Sequence, residues 1–170
     1  LELVFLITRF GRRVRLKKGE RLELQNVKVV VEQPELYEKF ENRLNAVNLD
    51  PGKISQYYIN FLAAELRPDE TYNYGHRLRR YFKDNHNKEI DAVEVLSARL
   101  KKDPEDRKAY FALWDSREDL TRQGSCPCFV SAFFRKFEER LTLTATFRTH
   151  NAMDAWPMNF YGLMAFQSAV

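Results

Sequence analysis

Residues 124–134 read GSCPCFVSAFF, and they hold both cysteines of the chain, Cys126 and Cys128, on either side of Pro127. Beyond the proline, CFVSAFFRKF (128–137) and RLTLTATFRT (140–149) are rich in apolar, aromatic and alternating residues and predict two strands. An acidic turn around Glu138 and Glu139 joins them. Two strands closed by a tight turn bring their far ends together, so Cys128 and Arg148 are expected to be neighbours. A guanidinium beside a thiol favours the thiolate and can hold an anion next to it. Spacing alone leaves a purely structural role for Cys128 open.

Other uses of the cysteines fit less well. A structural zinc site takes about four ligands; Cys-x-Cys offers two, and His76, His86 and His150 are scattered, so no metal is expected. A redox pair would prefer Cys-x-x-Cys. Two cysteines this close make no disulfide framework, which points to a reducing, cytoplasmic setting. Cys126 reads as packing.

Working outward, residues 1–34 alternate apolar and charged positions and predict a β-hairpin or meander, with a turn at Gly19 and VKVVV (27–31) as its most buried piece. A short helix and loop is expected over 35–48, closed by LDPGK (49–53). Ile54, Tyr58, Phe61, Leu62 and Leu66 recur at helical spacing. A loop from Pro68 re-enters a helix after Gly75, and EIDAVEVLSARLKK (89–102) is an amphipathic helix stopped at Pro104. KAYFALW (108–114) reads as a strand, and DAWPMNFYGLMAFQSAV (154–170) as an apolar helix running to the last residue. The order β, α, β, α argues an α+β fold. At 170 residues, 44% of them hydrophobic, the chain is one domain over 1–170 with a substantial core. The last helix ends without a polar cap, as if the sequence continued.

No apolar run approaches the ~20 residues of a membrane span, and LELVFLI (1–7) lacks the flanks of a signal peptide. No membrane partner is expected. The net charge of +4 is too mild to imply nucleic acid and suits an anionic small molecule such as a phosphate ester. The basic clusters at 9–18 and at Arg77, Arg79 and Arg80 read as solvated faces.

Several segments in one order carry a family likeness. Pro127-Cys128, then Arg148-Thr149, then Pro157-Met158-Asn159 resemble the nucleophile, arginine and asparagine elements of thymidylate synthases, at the same spacings. DRKAYFALW (106–114) is similar to the family's basic pair and following tryptophan: Arg107, Lys108 and Trp114. YNYGHRLRRY (72–81) resembles its Tyr-Gly element, giving Tyr74, and FGRRVRLKKGERLEL (10–24) its first strand pair. YGLMAFQ (161–167) looks closest to the short archaeal branch. There are departures: Phe129 follows the cysteine where the family often has His, Lys108 replaces an arginine, and Asn151 replaces an aspartate that resembles a folate contact. The family's N-terminal phosphate loop and its later half would lie outside the sequence.

The resemblance implies a mixed sheet with helices on one face, the sheet face being used in a homodimer. It implies C5 methylation of dUMP to dTMP, with methylene-tetrahydrofolate or methylene-tetrahydromethanopterin as co-substrate. Cys128 would be the nucleophile and Tyr74 a proton shuttle. Arg148, Thr149, Arg107 and Lys108 would bind the nucleotide, Arg107 reaching in from the other subunit. Asn159 would read the uracil edge, since an amide both donates and accepts. Asn151 and Trp114 would contact the co-substrate. A pyrimidine hydroxymethylase of the same superfamily, and a binding protein that has lost turnover, are the alternatives. A nucleic-acid-binding module would leave the Cys–Arg–Asn spacing unexplained.

Overall fold

A computed structural model describes residues 2–17, 19–34 and 49–170. Its elements are α1 (Glu2–Phe10), β1 (Arg12–Leu16), β2 (Gly19–Glu23), α2 (Pro51–Asn60), α3 (Tyr74–Arg79), α4 (Ala92–Lys102), β3 (Tyr110–Ala112), β4 (Phe129–Phe137), β5 (Arg140–Phe147) and α5 (Ala155–Ala169). Helices and antiparallel sheets are segregated, so the fold is α+β. The short helix and loop expected over 35–48 lie outside the described residues.

The N-terminal expectation needs correcting. Residues 2–10 form a helix, not a strand. A nearly continuous apolar run does not separate the two by periodicity; here Leu3, Val4, Leu6 and Ile7 form the half-buried stripe, a helical spacing. The hairpin does form, as β1 against β2, with Leu16 opposite Gly19. VKVVV is not its buried core: residues 27–31 pair with no strand among the described residues, and Val30 is 67% exposed. The helix expected through Leu66 stops at Asn60, with Phe61 at its C-cap.

The remaining elements follow their local signals. Asp50 caps α2 by accepting from the Gly52 N–H, Asn73 caps α3 through the His76 N–H, and Asp91 caps α4 through Val93 and Glu94. Strands β3, β4 and β5 form one antiparallel sheet in that order. Phe137 pairs with Arg140 across a two-residue turn, and Phe129 with Phe147 at the far end. Between Phe129 and Ser131 the register shifts, leaving Val130 as an extra residue on β4. Its carbonyl accepts from both Leu113 (2.8 Å) and Trp114 (3.3 Å), turning the chain after β3 toward the Cys128 end of the sheet.

The core lies between one sheet face and the helices. Phe129, Ala132 and Phe134 of β4 meet Leu78 of α3, Val93 and Leu96 of α4 and Phe166 of α5. On β5 the inner residues Leu141, Leu143, Ala145 and Phe147 are half-buried, while Thr142, Thr144 and Thr146 are exposed. The Arg77 of the basic triplet is no surface residue. It is 1% exposed, bonded to Asp119 through two nitrogens at 2.6 and 3.0 Å, and lies over the Tyr81 ring at 3.8 Å. Asp119 also accepts from the Asp115 N–H, so this pair anchors the loop after Trp114 to α3.

Helices α2 and α5 pack closely because α5 has a glycine at the crossing. A Cβ on Gly162 would sit 2.1 Å from the Phe61 ring. Gly162→Ala is therefore expected to cost about 3 kcal/mol, at the upper end of overpacking penalties, read as a lowered urea midpoint at unchanged slope.

Candidate functional site

The loop that carries the cysteines is held by one residue. The Arg148 main-chain N–H donates to the Cys128 carbonyl at 2.9 Å, its Nε to the Pro127 carbonyl at 2.8 Å, and its Nη2 to the Cys126 carbonyl at 3.1 Å. Three consecutive carbonyls of the loop are thus satisfied by one residue. The same Nη2 lies 3.2 Å from Cys126 Sγ and 3.8 Å from Cys128 Sγ. The guanidinium stands 5.6 Å from the Trp114 ring. The predicted Cys128–Arg148 neighbourhood is present, and Cys126, read as packing, shares the same cation. Among the described residues Arg148 Nη1 meets no protein acceptor, so donors remain for an incoming anion.

Three phenols stand around the thiols. Burial pushes the Tyr57 hydroxyl well above its ordinary value, with Tyr72 and Cys128 adding smaller pushes. Burial does the same to Tyr74, with Tyr57, Tyr72 and Cys128 contributing, while a bond to the Phe129 main chain offsets part. Tyr72 is raised by burial, against a bond to Ser125, and also feels both cysteines. All three stay protonated donors near Cys128. Tyr74 is held by ring contacts to Phe61 at 5.4 Å and to Phe129 at 5.6 Å.

Asn159 sits inside α5, 5% exposed, and is not a helix cap. Its Oδ1 accepts from Tyr57 Oη at 2.6 Å, and its Nδ2 lies 2.8 Å from His150 Nε2. His150 stacks on Phe147, with centroids 4.3 Å apart, and meets Trp156 edge-on. Burial holds its imidazole below the ordinary value, while a bond to the Ala155 main chain works the other way. The Asn151 side chain is engaged locally. Its Oδ1 accepts from the Met153 and Asp154 N–H groups, and its Nδ2 donates to Asp154 Oδ2. Thr149 is exposed beside Arg148.

Arg107 and Lys108 are not brought to this loop. Both are exposed, and the chain beside them pairs with the other end of β4: the Ala109 carbonyl accepts from Phe134, and the Pro104 carbonyl from Lys136. Phe134 lies six positions along the chain from Cys128, roughly 20 Å at the usual strand rise. Sequence reasoning passed over Tyr57, which only its place on an apolar helix face marked out, and set His150 aside.

Residues 27–170 match the family described as Thymidylate synthase. The chain belongs to the thymidylate synthase family. A protein of Methanosarcina mazei, named provisionally as a thymidylate synthase, is 30% identical over 160 residues, covering 93% of this chain and 69% of the relative. A deoxyuridylate hydroxymethyltransferase of Pseudomonas phage M6 is 34% identical over 80 residues, 46% of this chain and 21% of that protein. The thermostable thymidylate synthase A of Bacillus subtilis aligns at a TM-score of 0.47 and 21% identity, over 75% of this chain and 42% of that one.

Within the family frame, the phenylalanine that follows the cysteine has a packing reason. Phe129 is fully buried and stacks on Phe147 at 5.0 Å, so it anchors the Cys128 backbone to the core.

Arg148→Lys keeps the charge but loses the fork that reaches two carbonyls. Exchange of the main-chain amide at 148, which donates to the Cys128 carbonyl, is expected to speed at least tenfold, about the equivalent of one charge-assisted hydrogen bond, with protection in the middle of β4 and β5 unchanged in mass-resolved exchange. Acid should also act through His150. Its folded-state value lies below the unfolded value of about 6.5. As pH falls through that value, the unfolded chain takes up a proton the folded chain refuses, so stability declines. His150→Gln should shallow the decline in urea titrations, leaving the share of His76, which burial also depresses.

Proposed function

We propose that this protein is a pyrimidine C5 transferase of the thymidylate synthase type, converting dUMP to dTMP. The observation that carries the reading is the single loop mouth where Cys128, Arg148 and three protonated phenols converge in a chain of this family. Carbon 5 of uracil is a weak nucleophile. Addition of the Cys128 thiolate at carbon 6 turns the ring into an enolate whose carbon 5 can attack a one-carbon unit. Arg148 holds the phosphate with its remaining donors and keeps positive charge beside the sulfur. Tyr74, whose phenol feels Cys128, relays the proton that leaves carbon 5. Asn159 reads the base edge.

A reduced pterin, methylene-tetrahydrofolate or methylene-tetrahydromethanopterin, supplies the one-carbon unit and, for a methyl product, the hydride. Trp114 offers it an aromatic face at the mouth of the loop. The Asn151 amide is spent in its turn, so it contributes by shaping that turn. Arg107 and Lys108, exposed and far from their own Cys128, serve the phosphate site of a second copy, which makes the working unit a homodimer with the threonine face of β5 turned to the partner.

The likeness to the phage hydroxymethyltransferase favours a second reading, in which water rather than hydride ends the reaction. Product mass separates the two. The decisive test incubates the full-length protein with 5-fluoro-dUMP and methylene-tetrahydrofolate. Fluorine at carbon 5 does not leave as a proton does, so a working site traps a covalent ternary adduct. The adduct is expected on Cys128 by peptide mass spectrometry, and Cys128→Ser should lose both adduct and turnover. An adduct elsewhere, or turnover surviving the substitution, would overturn the assignment.

A further inference from the structure

An asparagine amide does not by itself choose between uracil and cytosine. Uracil presents a donor at N3 and an acceptor at O4; cytosine presents an acceptor at N3 and a donor at N4. A half-turn of the amide swaps its oxygen and nitrogen and suits it to the other base. Selectivity therefore needs something that fixes which way the amide points. Resting on the reading of Asn159 as the base-reading residue, we propose that His150 and Tyr57 are positioning residues that lock the Asn159 amide in its uracil-reading orientation.

The order of donors follows from the amide. Asn159 turns Nδ2 to His150 Nε2 at 2.8 Å and Oδ1 to Tyr57 Oη at 2.6 Å. An amide nitrogen only donates, so Nε2 presents a lone pair and the neutral ring carries its proton on Nδ1. The tautomer is assigned by the network. The amide oxygen accepts from Tyr57, whose hydroxyl donates. Each proton in the series points from Tyr57 through Asn159 toward His150.

The scaffold makes the series rigid. The imidazole is clamped between the Phe147 face and the Trp156 edge, so it does not flip freely. Asn159 is nine-tenths buried, where a reversed amide would set its oxygen against the lone pair of His150 Nε2, acceptor against acceptor. The phenol of Tyr57 feels Cys128, which ties the relay to the thiol loop. Counting capacity, Asn159 spends one N–H and one lone pair on its neighbours. One of each remains, the pair that N3–H and O4 of uracil require.

The test is calorimetric binding of dUMP and dCMP to the full-length protein and its variants. The wild type is expected to prefer dUMP by about tenfold or more, the equivalent of one mispaired hydrogen bond. His150→Leu removes the acceptor and Tyr57→Phe the donor; each should collapse the ratio toward one. His150→Gln keeps an acceptor for the Asn159 amide, so it should keep the preference. A lock that is only structural would weaken both nucleotides in proportion and leave the ratio, which overturns the proposal. Nitrogen NMR of the histidine rings in the wild type needs no variant: a proton on Nδ1 of His150 is expected, and one on Nε2 overturns the lock. Failure of the wild type to bind dUMP would instead strike the functional reading itself, and the lock with it.

Discussion

The site depends on the register of β5 against β4. Arg148 reaches three successive carbonyls of the cysteine loop because Phe147 stands opposite Phe129 and the next main-chain N–H meets the Cys128 carbonyl. A slip by one residue would turn Phe147 and Leu143 outward and carry the guanidinium away from both sulfurs. The register is held from both ends. At one, the Phe137–Arg140 turn closes in two residues. At the other, the bulge at Val130 absorbs the extra residue of β4 and commits its carbonyl to Leu113 and Trp114. One irregularity thus sets both the arginine and the tryptophan at the loop mouth.

The site is also continuous with the core. Phe129 is at once the residue after the nucleophile and a fully buried member of the main cluster, touching Phe61, Tyr74 and Phe147. From Phe147 the ring contacts run on through His150 and Trp156 to Phe160. A histidine at 129 would bring a polar ring into this stack and need partners there. Phenylalanine gives that up for packing, and the polar work near the thiol falls to the tyrosines. Three half-buried phenols with raised proton affinity supply hydrogen-bond donors without supplying charge.

What the sequence disclosed follows from the range of each interaction. The β4–β5 pair, the capped helices α3 and α4 and the terminal helix rest on neighbours a few residues apart, and their patterns were readable. Cys128 and Arg148 were readable as a pair because a hairpin converts spacing into proximity. Residues 2–10 were misread because an apolar run serves helix and strand alike, and VKVVV because strand propensity is realised only where a partner strand exists. The bulge at Val130 leaves no mark in composition. Arg77 looked like one of three surface arginines; its burial depends on Asp119, 42 residues away. Arg107 and Lys108 matched a motif by position, yet the strand they precede places them at the opposite end of the sheet from the thiols.

The two halves of the site differ in what keeps them in place. The Cys128–Arg148 pair is local: loop, turn and one arginine, all within residues 126–148. The base-reading half joins Tyr57 to Asn159 across 102 residues, and that contact exists only because α2 lies against α5. The approach is close because Gly162 admits the Phe61 ring, one turn along each helix from the hydrogen-bonded pair. A hydrogen bond of 2.6 Å weakens steeply when its partners separate by about an ångström. Helix packing therefore bears on the Asn159 orientation more directly than on the Cys128–Arg148 pair. A lesion at the α2–α5 crossing would first loosen the residues that choose the base, while the sulfur and its arginine, carried by the hairpin, stay together.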